Sequence, residues 1–144
     1  MEDRTLKVKL CDPKAKLPVY AHPGDAGLDL CTPRRVKIEA GQRVIIDTKV
    51  AIELPEGTVG LVWDKSGLGV VKGIKVMGGV FDYSFRGTYT VGLINLSDED
   101  LILEEGDKIC QLLIQPIIKV AVKEVNEINE STSRGINRLG STGR

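Results

Sequence analysis

Aromatic residues make up only 4% of this chain of 144 residues, so aliphatic side chains must fill whatever core it forms. Histidine is scarcer still. His22 is the single copy, which excludes a multi-histidine metal centre and leaves no Ser-His-Asp triad to assemble; beside Pro23 it reads as a surface residue. The three cysteines, Cys11, Cys31 and Cys110, are odd in number and have no CxxC spacing. That argues against a disulfide framework and a zinc site, and for a reducing, cytoplasmic compartment. An excess of either charge is also missing, since 20 Lys+Arg balance 20 Asp+Glu. No overall field recruits nucleic acid, and any polyanion site has to be local. No apolar run reaches the length of a membrane span or signal-peptide core, and the N-terminal Met1-Glu2-Asp3-Arg4 is charged. A soluble protein without membrane or nucleic-acid partners is expected.

What the chain does have is a succession of short runs rich in Val, Ile and Leu between Gly, Pro and Asp punctuation, at 6–10, 43–54, 58–63, 88–95, 101–104 and 109–122. This spacing predicts an all-β sandwich or barrel. Turn chemistry stands between runs at Pro55-Glu56-Gly57 and Ser97-Asp98-Glu99-Asp100. At most one short helix is expected, just after Ser66 through Val70 and Val71, where Gly67, Gly69 and Gly73 work against it. Length predicts a single β domain, over 1–125. Beyond Val125 the chain turns polar, with Ile128, Ile136 and Leu139 its only large apolar residues. Taken alone, 126–144 reads as a disordered terminus.

The segment Gly79-Val80-Phe81-Asp82-Tyr83-Ser84-Phe85-Arg86-Gly87 sets one acid among glycines and aromatics at an expected hairpin tip. By itself Asp82 would be a turn residue. Four further polar, glycine-containing segments accompany it: Ala26-Gly27-Leu28-Asp29-Leu30, Lys65-Ser66-Gly67-Leu68-Gly69, Gly106-Asp107-Lys108-Ile109-Cys110-Gln111, and Arg134-Gly135 through Gly140-Ser141-Thr142-Gly143. The ordered set resembles the five motifs of the homotrimeric dUTP pyrophosphatases, from about residue 18 to the last residue. That resemblance implies a distorted jelly-roll subunit with at most one short helix, a closed threefold trimer with active sites shared between subunits, and Mg²⁺-dependent hydrolysis of dUTP to dUMP and pyrophosphate. Such a reaction limits uracil in DNA and supplies the precursor of thymidylate. It also turns 126–144 into a flexible arm that closes over bound nucleotide.

A triphosphate needs cations, close backbone or hydroxyl donors, and a divalent metal. Lys65-Ser66-Gly67 offers a charge, a hydroxyl and a glycine that permits close approach; without its companions it would be a turn after 58–63. The GxxxxGK[ST] phosphate loop is absent, and Gly67-Leu68-Gly69 is no dinucleotide fingerprint because the third glycine is displaced to Gly73. By resemblance, Asp82 is the general base that polarises a water for in-line attack on the α-phosphate. Gly79, Phe85 and Arg86 belong to the hairpin that reads uracil through main-chain groups. Gln111 touches the phosphates, and Asp29 assists the water shell of Mg²⁺, an ion carried mainly by phosphate oxygens. Arg134, Leu139, Gly140, Ser141 and Thr142 belong to the arm, with Arg134 and the two hydroxyls gripping the γ-phosphate. One subunit would supply Asp82, a second Lys65, Ser66 and Gln111, and a third the arm.

Four positions depart from the family pattern. Lys65 stands where Arg is common and cannot reproduce a bidentate guanidinium contact. Phe85 replaces a Tyr but retains the ring that packs under deoxyribose and excludes a 2′-hydroxyl. Leu139 replaces the aromatic that stacks on uracil, a contact worth roughly 1–3 kcal/mol, and Arg138 replaces a Gly. Two other readings stand beside the hydrolase. A related dCTP deaminase would carry a catalytic Glu ten residues beyond Asp82, where this chain has Gly92. A non-catalytic dUTP-binding regulator of the same fold would close its arm on nucleotide without releasing pyrophosphate. A purely structural jelly-roll module leaves the five motifs unexplained.

Overall fold

The succession of short strands predicted from sequence is carried through in a computed structural model, which describes residues 5–138 and Thr142. Ten strands occur: β1 Lys7–Leu10, β2 Leu28–Cys31, β3 Val36–Ile38, β4 Arg43–Glu53, β5 Thr58–Trp63, β6 Ile74–Met77, β7 Val80–Asp82, β8 Thr88–Asn95, β9 Leu101–Leu103 and β10 Lys108–Pro116. They form two four-stranded sheets, ordered β1-β4-β8-β6 and β2-β10-β5-β7, and the pair β3-β9. Every one of these pairings is antiparallel. The expected helix is a single π-type turn at Gly67–Val71, preceded by Ser66.

Period-two burial explains why these runs are strands and not helices. On β4 the inward residues are Ile46, Thr48, Val50 and Ile52; on β8 they are Tyr89, Val91, Leu93 and Asn95. Leu30, Leu112 and Val62 from the second sheet and Ile38 and Leu103 from the third join them in one core. Full burial of each large aliphatic side chain stabilises the fold by about 1.5–3 kcal/mol. The two buried polar residues on these faces are paired: Thr48 Oγ1 donates to the Tyr89 carbonyl at 2.8 Å, and Asn95 Nδ2 donates to the Ile38 and Glu99 carbonyls at 3.1 and 2.8 Å. Through Glu99, Asn95 ties the end of β8 to the turn before β9.

The run 109–122 does not continue as one strand. Its ladder ends at Pro116, opposite Thr58, because proline has no N–H to give. Only the Ile117 N–H extends the pairing, donating to the Gly57 carbonyl at 2.9 Å. Gly92 is wedged between Ile45 on β4 and Met77 on β6, where an added Cβ would lie 3.3 Å from the Met77 Cβ. The crowded ladder thus has a physical use for glycine at the position a deaminase would give to Glu.

Candidate functional site

On β2, Leu28 and Leu30 point into the core, so Asp29 and Cys31 emerge on the opposite face. Asp29 lies directly opposite Gln111 of β10. Together with Asp25, Ala26, Gly27 and the Lys65-Ser66-Gly67 segment that follows β5, they line a polar pocket of about 210 Å³. Gly27 is required by proximity, since a Cβ there would strike the Gln111 side chain. Gln111 Nε2 donates to the Asp64 carbonyl at 2.8 Å, which fixes the amide across the pocket mouth. Gly67 faces open space, with nothing within 4 Å of an added Cβ.

Asp29 is only 4% exposed, and both its oxygens face ammonium groups: Oδ1 accepts a short hydrogen bond from Lys65, and Oδ2 lies 2.7 Å from Lys108 Nζ. Burial pushes the Asp29 pKa upward, but the ammonium groups of Lys108 and Lys65 against it outweigh that and hold the carboxyl below its usual value. Reciprocally, the Asp29 carboxylate raises Lys108. Asp25 also lines the pocket, so two ammoniums stand against two carboxylates and the local charges balance; a phosphate would be met by the Lys65 ammonium itself. No group of three or more His, Cys, Asp or Glu able to hold a metal occurs among the described residues. With its oxygens turned to two lysines, Asp29 is not a free ligand for Mg²⁺; the donor set fits a metal that arrives on phosphate oxygens, not one resident on the chain.

The second group of residues forms a hairpin. The Gly79 carbonyl accepts from the Val62 N–H at 2.7 Å, and a Cβ on Gly79 would collide with the Val62 carbonyl. β7 then runs along β5 until Asp82 reaches Val59, and the Phe85 N–H closes the turn on the Asp82 carbonyl at 3.0 Å. Arg86 is spent internally, its Nη1 donating to the Tyr83 and Phe85 carbonyls at 2.6 and 2.9 Å. Behind the turn, Phe81 stacks on buried Tyr89 with ring centroids 4.0 Å apart, and partly exposed Phe85 leans on Phe81 at 5.8 Å. Lys119 Nζ sits 4.8 Å from the Tyr83 ring centroid and holds the chain leaving β10 against this hairpin.

Asp29, Lys65, Ser66, Gly67 and Gln111 are therefore brought into one pocket, whereas Asp82 is not. Asp82 pairs with Val59 near the start of β5, and Lys65 follows Trp63 at its end. Four strand steps between Val59 and Trp63 span about 13 Å before the chain reaches Lys65. Arg134 is exposed, its guanidinium donating to the Asn137 and Arg138 carbonyls at 3.0 and 3.1 Å. Thr142 is also exposed, while Leu139, Gly140 and Ser141 lie outside the described residues. Sequence reasoning passed over Gly27, Asp64 and Lys108. For Lys108 a signal existed: Ile109 and Cys110 are consecutive apolar residues that break the alternation of β10.

No described helix is long and apolar enough to cross a membrane. Across 13–143 the chain matches the sequence pattern of the dUTPase family. It is 41% identical to the deoxyuridine 5'-triphosphate nucleotidohydrolase of Clostridium tetani, covering 100% of both chains. To the enzyme of the same name from Corynebacterium jeikeium it is 44% identical over 98% of this chain and 94% of the other. Among solved structures, the dUTPase of Staphylococcus bacteriophage 80alpha with dUpNHpp superposes with a TM-score of 0.91 at 28% identity, covering 98% of this chain and 99% of that one. A substituted dUTPase of S. aureus phage phi11, described as revealing the coordination of a structural Mg(II) ion, gives 0.80 at 28% identity over 85% and 97%. With the all-β jelly-roll architecture, these matches place the chain in the dUTPase family.

Proposed function

We propose that this protein hydrolyses dUTP to dUMP and pyrophosphate, in active sites completed between copies of the chain. The observation that carries this reading is the division of labour along β5: a polar pocket bearing Lys65, Ser66 and Gln111 at one end and an acid-bearing hairpin at the other, each well formed, neither sufficient alone. A closed threefold trimer would bring the hairpin of one copy over the pocket of the next. Nucleotide phosphates would then meet Lys65, the Ser66 hydroxyl and the Gln111 amide, the Lys65 ammonium offsetting part of their charge. The Asp82 carboxylate would accept a proton from the water aligned with the leaving pyrophosphate. Phe85, braced by Phe81 and Tyr89, offers an apolar ledge for deoxyribose, and the hairpin main chain, held by Arg86, offers donors and acceptors to uracil.

Mg²⁺ enters in this reading as part of the substrate, neutralising the triphosphate. The segment 126–144 serves as the arm, reached from β10 through the stretch in which Lys119 meets Tyr83.

The test is pyrophosphate release from dUTP, dCTP, dTTP and UTP in parallel, with wild type and Asp82→Asn, alongside the particle mass in solution. Release from dUTP alone, lost in Asp82→Asn, by a particle of three chains is the expected result. Binding of dUTP without release from any nucleotide would overturn it in favour of a nucleotide-dependent regulator. That alternative has a precedent in the fold, since the bacteriophage 80alpha dUTPase is described as controlling transfer of virulence genes.

A further inference from the structure

The register of β10 shifts between Lys108 and Cys110, and this bulge decides which way Lys108 points. In an unbroken strand, residues 108 and 111 are three apart and face opposite sides of the sheet. One extra residue reverses the phase. Ile109 and Cys110 are consequently both buried, and Lys108 emerges opposite Cys31, on the face that carries Asp29 and Gln111. There its ammonium takes the Asp29 oxygen that Lys65 leaves open. Lys65, Ser66 and Gln111 line the pocket, whereas Lys108 does not.

Such an arrangement poses a problem that Lys108 solves. Lys65 is bound to a buried carboxylate, and turning it toward a phosphate would strand that carboxylate without a partner, at a cost that opposes binding. We propose that Lys108 is a positioning residue for polyphosphate binding: it keeps Asp29 anchored and compensated, so that Lys65 can turn from Asp29 to a substrate phosphate. Without Lys108, Asp29 would retain Lys65, and the cluster would carry two carboxylates, Asp25 and Asp29, against one ammonium. The inference rests on the dUTPase reading for the nucleoside, and on the ion pairs alone for the phosphate.

The experiment titrates inorganic triphosphate and dUpNHpp into the full chain by calorimetry, and measures dUTP kinetics, for wild type, Lys108→Met, Lys108→Arg, Asp29→Asn and the Asp29→Asn/Lys108→Met double variant. Lys108→Met should weaken both ligands about tenfold, the worth of one charge-assisted hydrogen bond. Its kinetic loss should fall more on KM than on kcat. Lys108→Arg should restore most of the affinity, and in the Asp29→Asn background Lys108→Met should cost less than about twofold, because the two residues act through each other. Should Lys108→Met fail to fold by thermal unfolding, Lys108→Gln and Lys108→Arg carry the same comparison. Unchanged affinity in the uncharged variants, a full loss in the Asp29→Asn background, or no triphosphate binding by wild type would overturn the proposal. Triphosphate binding that responds to Lys108 without dUTP hydrolysis would leave it standing and sink the hydrolase reading instead.

Discussion

Gln111 and Asp29 face each other directly across the β2–β10 ladder, an amide and a carboxylate held in register on the solvent side of a sheet whose other side is core. Their backbones are fixed by the ladder, so their side chains move little. The amide is pinned to Asp64 and the carboxylate to two lysines, which makes this pocket preorganised, and its tolerance for small displacements correspondingly low.

Gly27→Ala tests that tolerance. The added methyl group falls on the Gln111 side chain, at 2.9 Å from its Cβ, so the amide or the strand must shift. A drop of about tenfold or more in kcat/KM is expected, with a stability loss of about 1–3 kcal/mol from overpacking. In a Gln111→Gly background, which removes the Cβ as well as the amide, the same substitution should cost little more of either, and equal costs in both backgrounds would refute the contact.

Arg86→Met tests the hairpin. Both hydrogen bonds from Nη1 go to exposed carbonyls of the turn, so solvent replaces them and the fold persists, with a loss of about 1 kcal/mol. The turn that carries Asp82 should nevertheless loosen. Faster amide exchange at Tyr83 to Arg86 with a lower kcat/KM for dUTP is the expected pair of results; lost activity with unchanged exchange would mean that the guanidinium touches substrate.

Tyr89→Phe should leave stability unchanged or raise it by about 1 kcal/mol. The Tyr89 hydroxyl is fully buried without a hydrogen-bond partner among the described residues, and burial pushes its pKa from 10.0 to about 12. Between those values the unfolded chain gives up a proton that the folded one retains, so stability falls as pH rises through the window. Denaturant unfolding at pH 9 to 12 should show that alkaline loss reduced in Tyr89→Phe.

Acid acts on Asp29 with the opposite sign. Its folded pKa lies below the reference 3.8, so the folded state binds fewer protons than the unfolded one between the two values. The stabilisation is complete above about pH 4 and disappears as pH falls through the folded value. Wild type should therefore exceed Asp29→Asn in stability at neutral pH, and the gap should narrow below pH 4. A constant gap down to pH 2 would show that the carboxylate charge contributes nothing.

Strand positions were the most legible feature of the sequence, because alternation against a core is a local pattern. The runs 58–63 and 88–95 coincide with β5 and β8. Short strands inside glycine-rich motifs, such as β2 and β7, were hidden: three or four residues give too few alternations to read. Lys65, Ser66 and Gly67 offer phosphate chemistry by residue type, whereas Asp29 and Gln111 took their roles only from the resemblance of the ordered motif set. Nothing local marked Gly27 as space kept for Gln111, or Asp64 as the anchor of that amide.

Left to itself, the sequence determined the β class, the turns and the inventory of groups able to meet a nucleotide, since each depends on a few neighbouring residues. Tertiary structure alone decided that Lys108 is swung by a bulge onto Asp29, and that Asp82 and Lys65 stand at opposite ends of β5. Those outcomes depend on ladder register between segments up to about eighty residues apart. Register is set by the summed packing of whole strands, a quantity no single motif contains.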